Sequence, residues 1–241
     1  MKTITRSRIS TGLIIIVCAL GLTACAASRQ ARNVEFSGFL ADYSNLMPGM
    51  TGEANRVYRS AAAKNKTAFS SYRNILIDPV TIYRDPKDKD KMARKDLDSV
   101  ANNFHAMLAD NLKKDYQIVG KAGPGTLRLT VVITNAEKDV AVLDAASTIL
   151  PTTLVASSLL SYAADHPGFS GDITMETRVT DAVSDDILIA SVDRRLGSKN
   201  ISADLFDDWQ TVNDAIAFWS KRQRYEFCTL RGAKDCVAPD S

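Results

Sequence analysis

"GDITMETRVTDAVSDDILIASVDRRL", residues 171–196, holds two strand patterns joined by a turn. Ile173, Met175, Thr177 and Val179 alternate with Asp172, Thr174, Glu176 and Arg178, and a period of two marks a strand with unlike faces. "VSDD" at 183–186 consists mostly of turn formers, and "ILIASVDRRL" then supplies a second strand. The pair predicts an antiparallel hairpin.

The same reading extends outward along the chain. In "TLRLTVVITNAE", 126–137, Leu127, Leu129, Val131 and Ile133 share one face while Arg128, Thr130 and Thr134 take the other, which predicts a strand with one core face and one wetter face. "YQIVG", 116–120, is a short strand followed by turn residues Gly120, Gly123, Pro124 and Gly125. "YRNILIDPVTIY", 72–83, is β-branched and aromatic, and Pro79 inside it implies an edge strand or a bend. Leu97, Val100, Ala101, Phe104, Leu108 and Leu112 recur at three and four, so a helix buries one stripe there. Asp96 or Asp98 suits its start, and Lys113 and Lys114 suit its end. Trp209, Val212, Ile216 and Trp219 predict a second helix, led in by Leu205 and Phe206 and closed by Lys221, Arg222 and Arg224. "FSGFLADYSNLMPGM", 36–50, predicts an apolar helical turn around Phe39, Leu40 and Tyr43, stopped by Pro48 and Gly49. The order implies an α+β fold: a largely antiparallel sheet with two main helices packed on one face and an apolar helical insert between strands.

Lys2, Arg6 and Arg8 precede an apolar run of 13 residues, Gly12 to Ala24, too short for the roughly 20 residues of a spanning helix. A removable signal peptide fits this pattern. Leu22, Thr23, Ala24 and Cys25 match the bacterial lipoprotein box, which predicts cleavage between Ala24 and Cys25 and acylation of the Cys25 thiol and amine. Two or more acyl chains anchor stably, so the membrane is an expected partner through Cys25. Ala26, where an inner-membrane retention signal would place Asp, implies an outer-membrane protein whose domain faces the periplasm. The expected organisation is a signal peptide over 1–24, a polar tether over 25–35, one domain over 36–227 with an insert at 137–170, and a C-terminal loop and tail over 228–241.

Loss of residues 1–24 removes three basic and no acidic groups, so 30 Lys and Arg become 27 against 28 Asp and Glu. A nearly neutral chain offers no electrostatic case for nucleic acid. With Cys18 removed and Cys25 acylated, Cys228 and Cys236 in "CTLRGAKDC" remain, and an oxidising compartment favours a disulfide between them. Free thiols or a metal site are the alternatives.

Sites for chemistry are sparse. His105 and His166 are the two histidines, neither with metal-ligand spacing, and no cofactor or metal is expected. "DPKDKDKMARKDLD", 85–98, lacks the central glycine of a calcium loop and reads as a solvated connector. "GFSGD", 168–172, precedes a strand where a nucleophile elbow follows one, and no catalytic residue is assigned. Asp78, Asp181, Asp185 and Asp186 are the carboxylates that an envelope-polymer hydrolase would use, although turn chemistry accounts for those in the hairpin.

From Val140 to Ala164 the chain carries one charge, Asp144, and is rich in Ala, Ser, Thr and Leu, with Pro151 dividing it. It is too interrupted for a spanning helix and lacks the alternation of a barrel strand. Ile149, Leu150, Leu154, Val155, Leu159 and Leu160 are its candidate interface residues, packing on the domain's own core, on an envelope protein or second copy, or on the membrane surface.

At "FSGFLADYS", "YRNILIDPVTIY", "LRLTVVITNAE" and "TRVTDAVSDDILIASVDRR" the chain resembles the bacterial lipoproteins grouped as domain of unknown function 3313, over roughly residues 36–225. That resemblance implies an envelope lipoprotein and transfers no catalytic residue. The element order also resembles the periplasmic domain of the curli secretion channel, a likeness of fold alone, which adds bilayer entry on oligomerisation as a third reading of the insert. Together these readings imply a non-catalytic binding or scaffold module, with the hydrolase as the alternative.

Overall fold

The computed structural model describes residues 28–82, 94–136, 172–197 and 210–240. The strands are β1 (Ser28–Gln30), β2 (Met47–Pro48), β3 (Arg56–Arg59), β4 (Asn74–Ile77), β5 (Thr81–Ile82), β6 (Gln117–Ile118), β7 (Thr126–Ala136), β8 (Asp172–Asp181) and β9 (Ile187–Gly197). The helices are α1 (Ala61–Lys64), α2 (Lys66–Phe69), α3 (Arg94–Leu112) and α4 (Gln210–Leu230). One mixed, largely antiparallel sheet runs β2-β3-β9-β8-β7-β4-β6, with β1 also on β9 and β5 also on β7. β8 and β9 form the antiparallel hairpin, Glu176 opposite Val192. β7 lies antiparallel to β8 and parallel to β4 and β5.

Alternation assigns each strand residue to a face. Leu127, Leu129, Val131, Ile133, Ile173, Met175, Val179 and Ile189 join one buried cluster with Leu97's neighbours in α3, namely Val100, Phe104, Leu108 and Leu112, and with Val212, Ala215, Ile216, Trp219 and Phe227 of α4. Phe104 and Trp219 meet at a ring separation of 6.2 Å, where the two helices close over the sheet. α4 continues beyond its first apolar stripe to Leu230, so Cys228 lies in its final turn and the expected domain boundary at 227 falls inside a helix.

The opposite face is wetter on β7, where Arg128 is exposed and Thr130 and Thr134 are half-buried, but not on β8. Thr174 and Glu176 are buried there, beneath a segment in which Leu40 packs with Ala190 and Val192, flanked by Val34, Phe39, Tyr43, Leu46 and Tyr58. The helical turn expected in that segment is absent: Gly38 and Ala41 adopt φ of 93° and 62°, outside the right-handed helical region. The side chain of Glu176 replaces the missing helical bonds, accepting from the Ser37 backbone N–H at 2.7 Å and from the Tyr43 hydroxyl at 2.7 Å.

Other boundaries also differ from expectation. Pro79 interrupts the long strand, leaving β4 and β5 as separate parallel partners of β7, so it marks a bend; β4, flanked by β6 and β7, is not an edge strand. The stretch 25–35 is not all tether, because Ser28–Gln30 pair with Gly197, Leu196 and Arg195 of β9. Cys228 and Cys236 are joined by a disulfide with Cα atoms 5.6 Å apart. Ala24, Cys25, His166, Trp209, the connector at 85–93 and the insert residues Ile149, Leu150, Leu154, Val155, Leu159 and Leu160 lie outside the described residues.

Candidate binding groove and buried charge network

β1 and β3 share one edge of β9, and a polar cluster fills the seam between them. Asn55 bridges it: its backbone N–H donates to Asp193 at 3.0 Å, its Nδ2 to the Ala31 carbonyl at 2.7 Å, and its Oδ1 accepts from the Arg194 N–H at 2.9 Å. Asp193 is fully buried, a costly place for a carboxylate unless its lone pairs are filled. They are filled by Gln30 Nε2 at 2.5 Å, Asn55 N, Trp219 Nε1 at 2.6 Å and Arg222 Nη1 at 2.7 Å. One side chain thus ties β1, β3 and α4 to β9.

Arg195 lies two residues on, facing the same way. Its Nε donates to Ser28 Oγ at 2.8 Å and its Nη2 to the Ser28 carbonyl at 2.6 Å, with the guanidinium carbon 3.7 Å from the centre of the Phe218 ring. Burial pulls this guanidinium down to about 10; Asp193 opposes the shift and Arg222 adds to it.

Beside this network the C-terminal half of α4 and the β2–β3 edge enclose a groove of about 330 Å³. Val57, Ala54 and Phe218 supply apolar wall, Arg59, Glu53 and Glu226 supply charge, and Ala238 and Pro239 of the disulfide-held tail close one side. Arg59 donates through Nε and Nη2 to Glu226 at 3.0 and 2.6 Å, and its Nη2 lies 3.0 Å from Glu53. Burial works against the Arg59 charge, yet Glu226 and Glu53 outweigh it and hold the group above its ordinary value. Gly49 lets the rim close, since a Cβ there would sit 1.9 Å from the Ala54 carbonyl oxygen.

The carboxylates singled out in the sequence do not share a cleft with these groups. Asp78 accepts from Arg128 Nε at 2.9 Å and from Thr130 at 2.7 Å. Asp181 accepts from the Val183 and Ser184 N–H groups and from the Tyr72 hydroxyl at 2.8 Å, which makes it the organiser of the β8–β9 turn. Burial would raise its pKa, but those three donors bring it below its ordinary value. Asp186 accepts from Ser184, and Asp185 occupies the left-handed region at φ 60°. His105 Nε2 lies 3.4 Å from the Ile77 carbonyl, a structural contact. Among the described residues no group of three or more His, Cys, Asp or Glu could hold a metal ion. No helix among them is long and apolar enough to cross a membrane.

Sequence reading missed Asp193, Arg222, Glu53, Arg59 and Glu226. Only "VDRR" within an otherwise apolar strand carried a signal, because charges placed on a core-facing register imply buried partners.

Fold and site together define a mixed α/β module with a largely antiparallel sheet, helices on one face and a small charged groove at its edge. The chain belongs to the family described as Protein of unknown function (DUF3313), whose model matches residues 35–223. It is 24% identical over 166 residues to the uncharacterized lipoprotein YdcL of Escherichia coli strain K12, covering 69% of this chain and 70% of that one. Among solved structures it is similar to a PelC dodecamer from Paraburkholderia phytofirmans, at 9% identity and TM-score 0.38 over 75% of this chain and 97% of that one. A protein from Xanthomonas campestris matches at 8% identity and TM-score 0.39, over 66% of this chain and 85% of that one.

Proposed function

We propose that this protein is a lipid-anchored module of the bacterial envelope that works by binding, held to the outer membrane through acyl chains on Cys25 with its domain in the periplasm. The lipoprotein box and Ala26 support the anchor and its destination. The observation that carries the binding reading is the state of the carboxylates. Asp78, Asp181 and Asp193 each accept from structural donors, and Glu53 and Glu226 neutralise Arg59. A pair of carboxylates for hydrolysis needs one proton-bearing and one free member in a shared cleft, which this arrangement does not favour.

The contact surface in this reading is the apolar stretch containing Ile149, Leu150, Leu154, Val155, Leu159 and Leu160. Its flanks leave the sheet side by side, Ala136 opposite Ile173 and Asp172 opposite Leu196. Photo-crosslinking from Leu154 in living cells tests it. A discrete protein or lipid adduct is the expected product, and solely intramolecular products would contradict the assignment.

A further inference from the structure

Arg59 stands between two carboxylates, and its charge balances only one of them. Glu226 receives both Nε and Nη2 of Arg59 on a single oxygen, Oε1. Glu53 meets the same Nη2 through Oε1 at 3.0 Å and receives the Met50 backbone N–H on Oε2 at 2.9 Å. Glu226 Oε2 is thus left with no donor among the described residues. The other guanidinium that lines the groove, Arg222, is spent on Asp193. Arg195, 4% exposed and stacked on Phe218, is not one of the lining residues. Two carboxylates against one guanidinium therefore leave the groove wall with negative charge in excess.

The rest of the wall suits a short carbon chain. Val57 is buried, Phe218 and Tyr225 add aromatic surface from α4, and Met50 stands 74% exposed at the rim. A volume of about 330 Å³ lies at the small end of the ~300–1,000 Å³ of small-molecule sites. An anion finds both lining guanidinium groups already committed. A cation finds the open oxygen of Glu226, whose side chain is 17% exposed, with Glu53 at 23% beside it. A hydrogen bond to an ionised acceptor is roughly twice as strong as a neutral one.

We infer that this groove is a binding site for an organic cation, an ammonium or guanidinium head on a short apolar stem, with Glu226 as the residue that receives the head. The stem lies against Val57, Phe218 and Tyr225. A free alkylamine and a lysine or arginine side chain of another protein offer the same head and stem. The site is separate from the Cys25 anchor and from the apolar insert, so its failure would leave both of those readings standing, and theirs would leave it.

The test is saturation-transfer NMR on the full acylated chain in deuterated micelles, with empty micelles as the blank. The probe is n-butylammonium, and n-butanol is its uncharged match. Transfer to n-butylammonium well above that to n-butanol is expected. Glu226→Gln keeps an acceptor for Arg59 and removes the charge, and it should weaken n-butylammonium binding roughly tenfold, the size of one hydrogen bond to a charged group. Thr229→Trp, at an exposed helix position on the groove wall, should block the site with every charge in place. Circular dichroism separates loss of the site from loss of the fold, and if Glu226→Gln does not fold, Thr229→Trp and the n-butanol comparison decide. Equal transfer to the two probes, or n-butylammonium binding that survives either substitution in folded protein, would overturn the assignment. N-acetyl-lysine N-methylamide then tells the two sources apart: displacement of bound n-butylammonium supports a site for a basic side chain, and failure to displace it supports one for a free amine.

Discussion

Arg222 donates to Asp193 across 2.7 Å with 8% of its own side chain exposed and none of its partner's. Trp219, on the same helix, donates to the same carboxylate oxygen at 2.6 Å. Removing one member of such a pair leaves an uncompensated buried charge. Asp193→Ala is therefore expected to cost about 3–5 kcal/mol, and the double variant Asp193→Leu/Arg222→Met less than Asp193→Ala alone. Urea unfolding of the three chains checks this; equal losses in single and double variants would mean that the pair is not coupled.

Tyr72 and Tyr116 set the alkaline limit of the fold. Burial and the hydrogen bond to Asp181 push Tyr72 up to about 12, and burial pushes Tyr116 up to about 12 against the opposing charge of Arg231. Both groups have folded values above the unfolded value of about 10, so the folded state keeps protons that the unfolded chain releases. Their contribution is fully present below pH ~10 and is lost as pH rises toward ~12. Phenolate absorbance should show these tyrosines titrating late and together with unfolding, and Tyr72→Phe should flatten the loss. Ordinary titration near pH 10 by every tyrosine before unfolding would refute the assignment.

The tail is held by covalent closure. Cys228 lies in the final turn of α4 and Cys236 lies eight residues on, so the bond closes a short loop. Replacing both by Ser is expected to cost about 2–3 kcal/mol by loop-closure entropy, with helical circular dichroism retained. Limited proteolysis should then cut beyond Leu230 first, since Ala238 and Pro239 would no longer be secured along the groove.

Gly49→Ala tests the groove rim. A Cβ 1.9 Å from a backbone oxygen forces backbone movement, and overpacking of this kind costs roughly 1–3 kcal/mol. Gly52→Ala is a different control: it meets open space, and any penalty there comes from its φ of 83°. A melting temperature unchanged by Gly49→Ala would show that the rim is looser than described.

What could be read from sequence followed the range of the forces involved. The stripe from Leu97 to Leu112 and the alternation from Ile173 to Val179 repeat within a few residues, and both emerged in the structure as core. β1 was hidden because "SRQ" is polar and becomes a strand only through pairing with β9, a contact 167 residues away in the case of Arg195 and Ser28. The apolar spacing of the 36–50 segment predicts a helical turn, but Glu176, 133 residues away from Tyr43, holds it in a series of tight turns instead. Arg222 looked like a cation at a helix end because local reading stopped the helix early; the structure continues to Leu230 and turns Arg222 inward. The groove was equally illegible, since Glu53, Arg59 and Glu226 come from separate elements.

The proposed role depends first on acylation of Cys25, which would hold the chain at the membrane. The most direct measurement is metabolic labelling with an alkyne fatty acid, followed by membrane fractionation of the natural chain and of Cys25→Ser. Label and outer-membrane recovery are expected for the natural chain, and an unlabelled, unprocessed or released product for the variant. Label and membrane retention that persist in Cys25→Ser would contradict it.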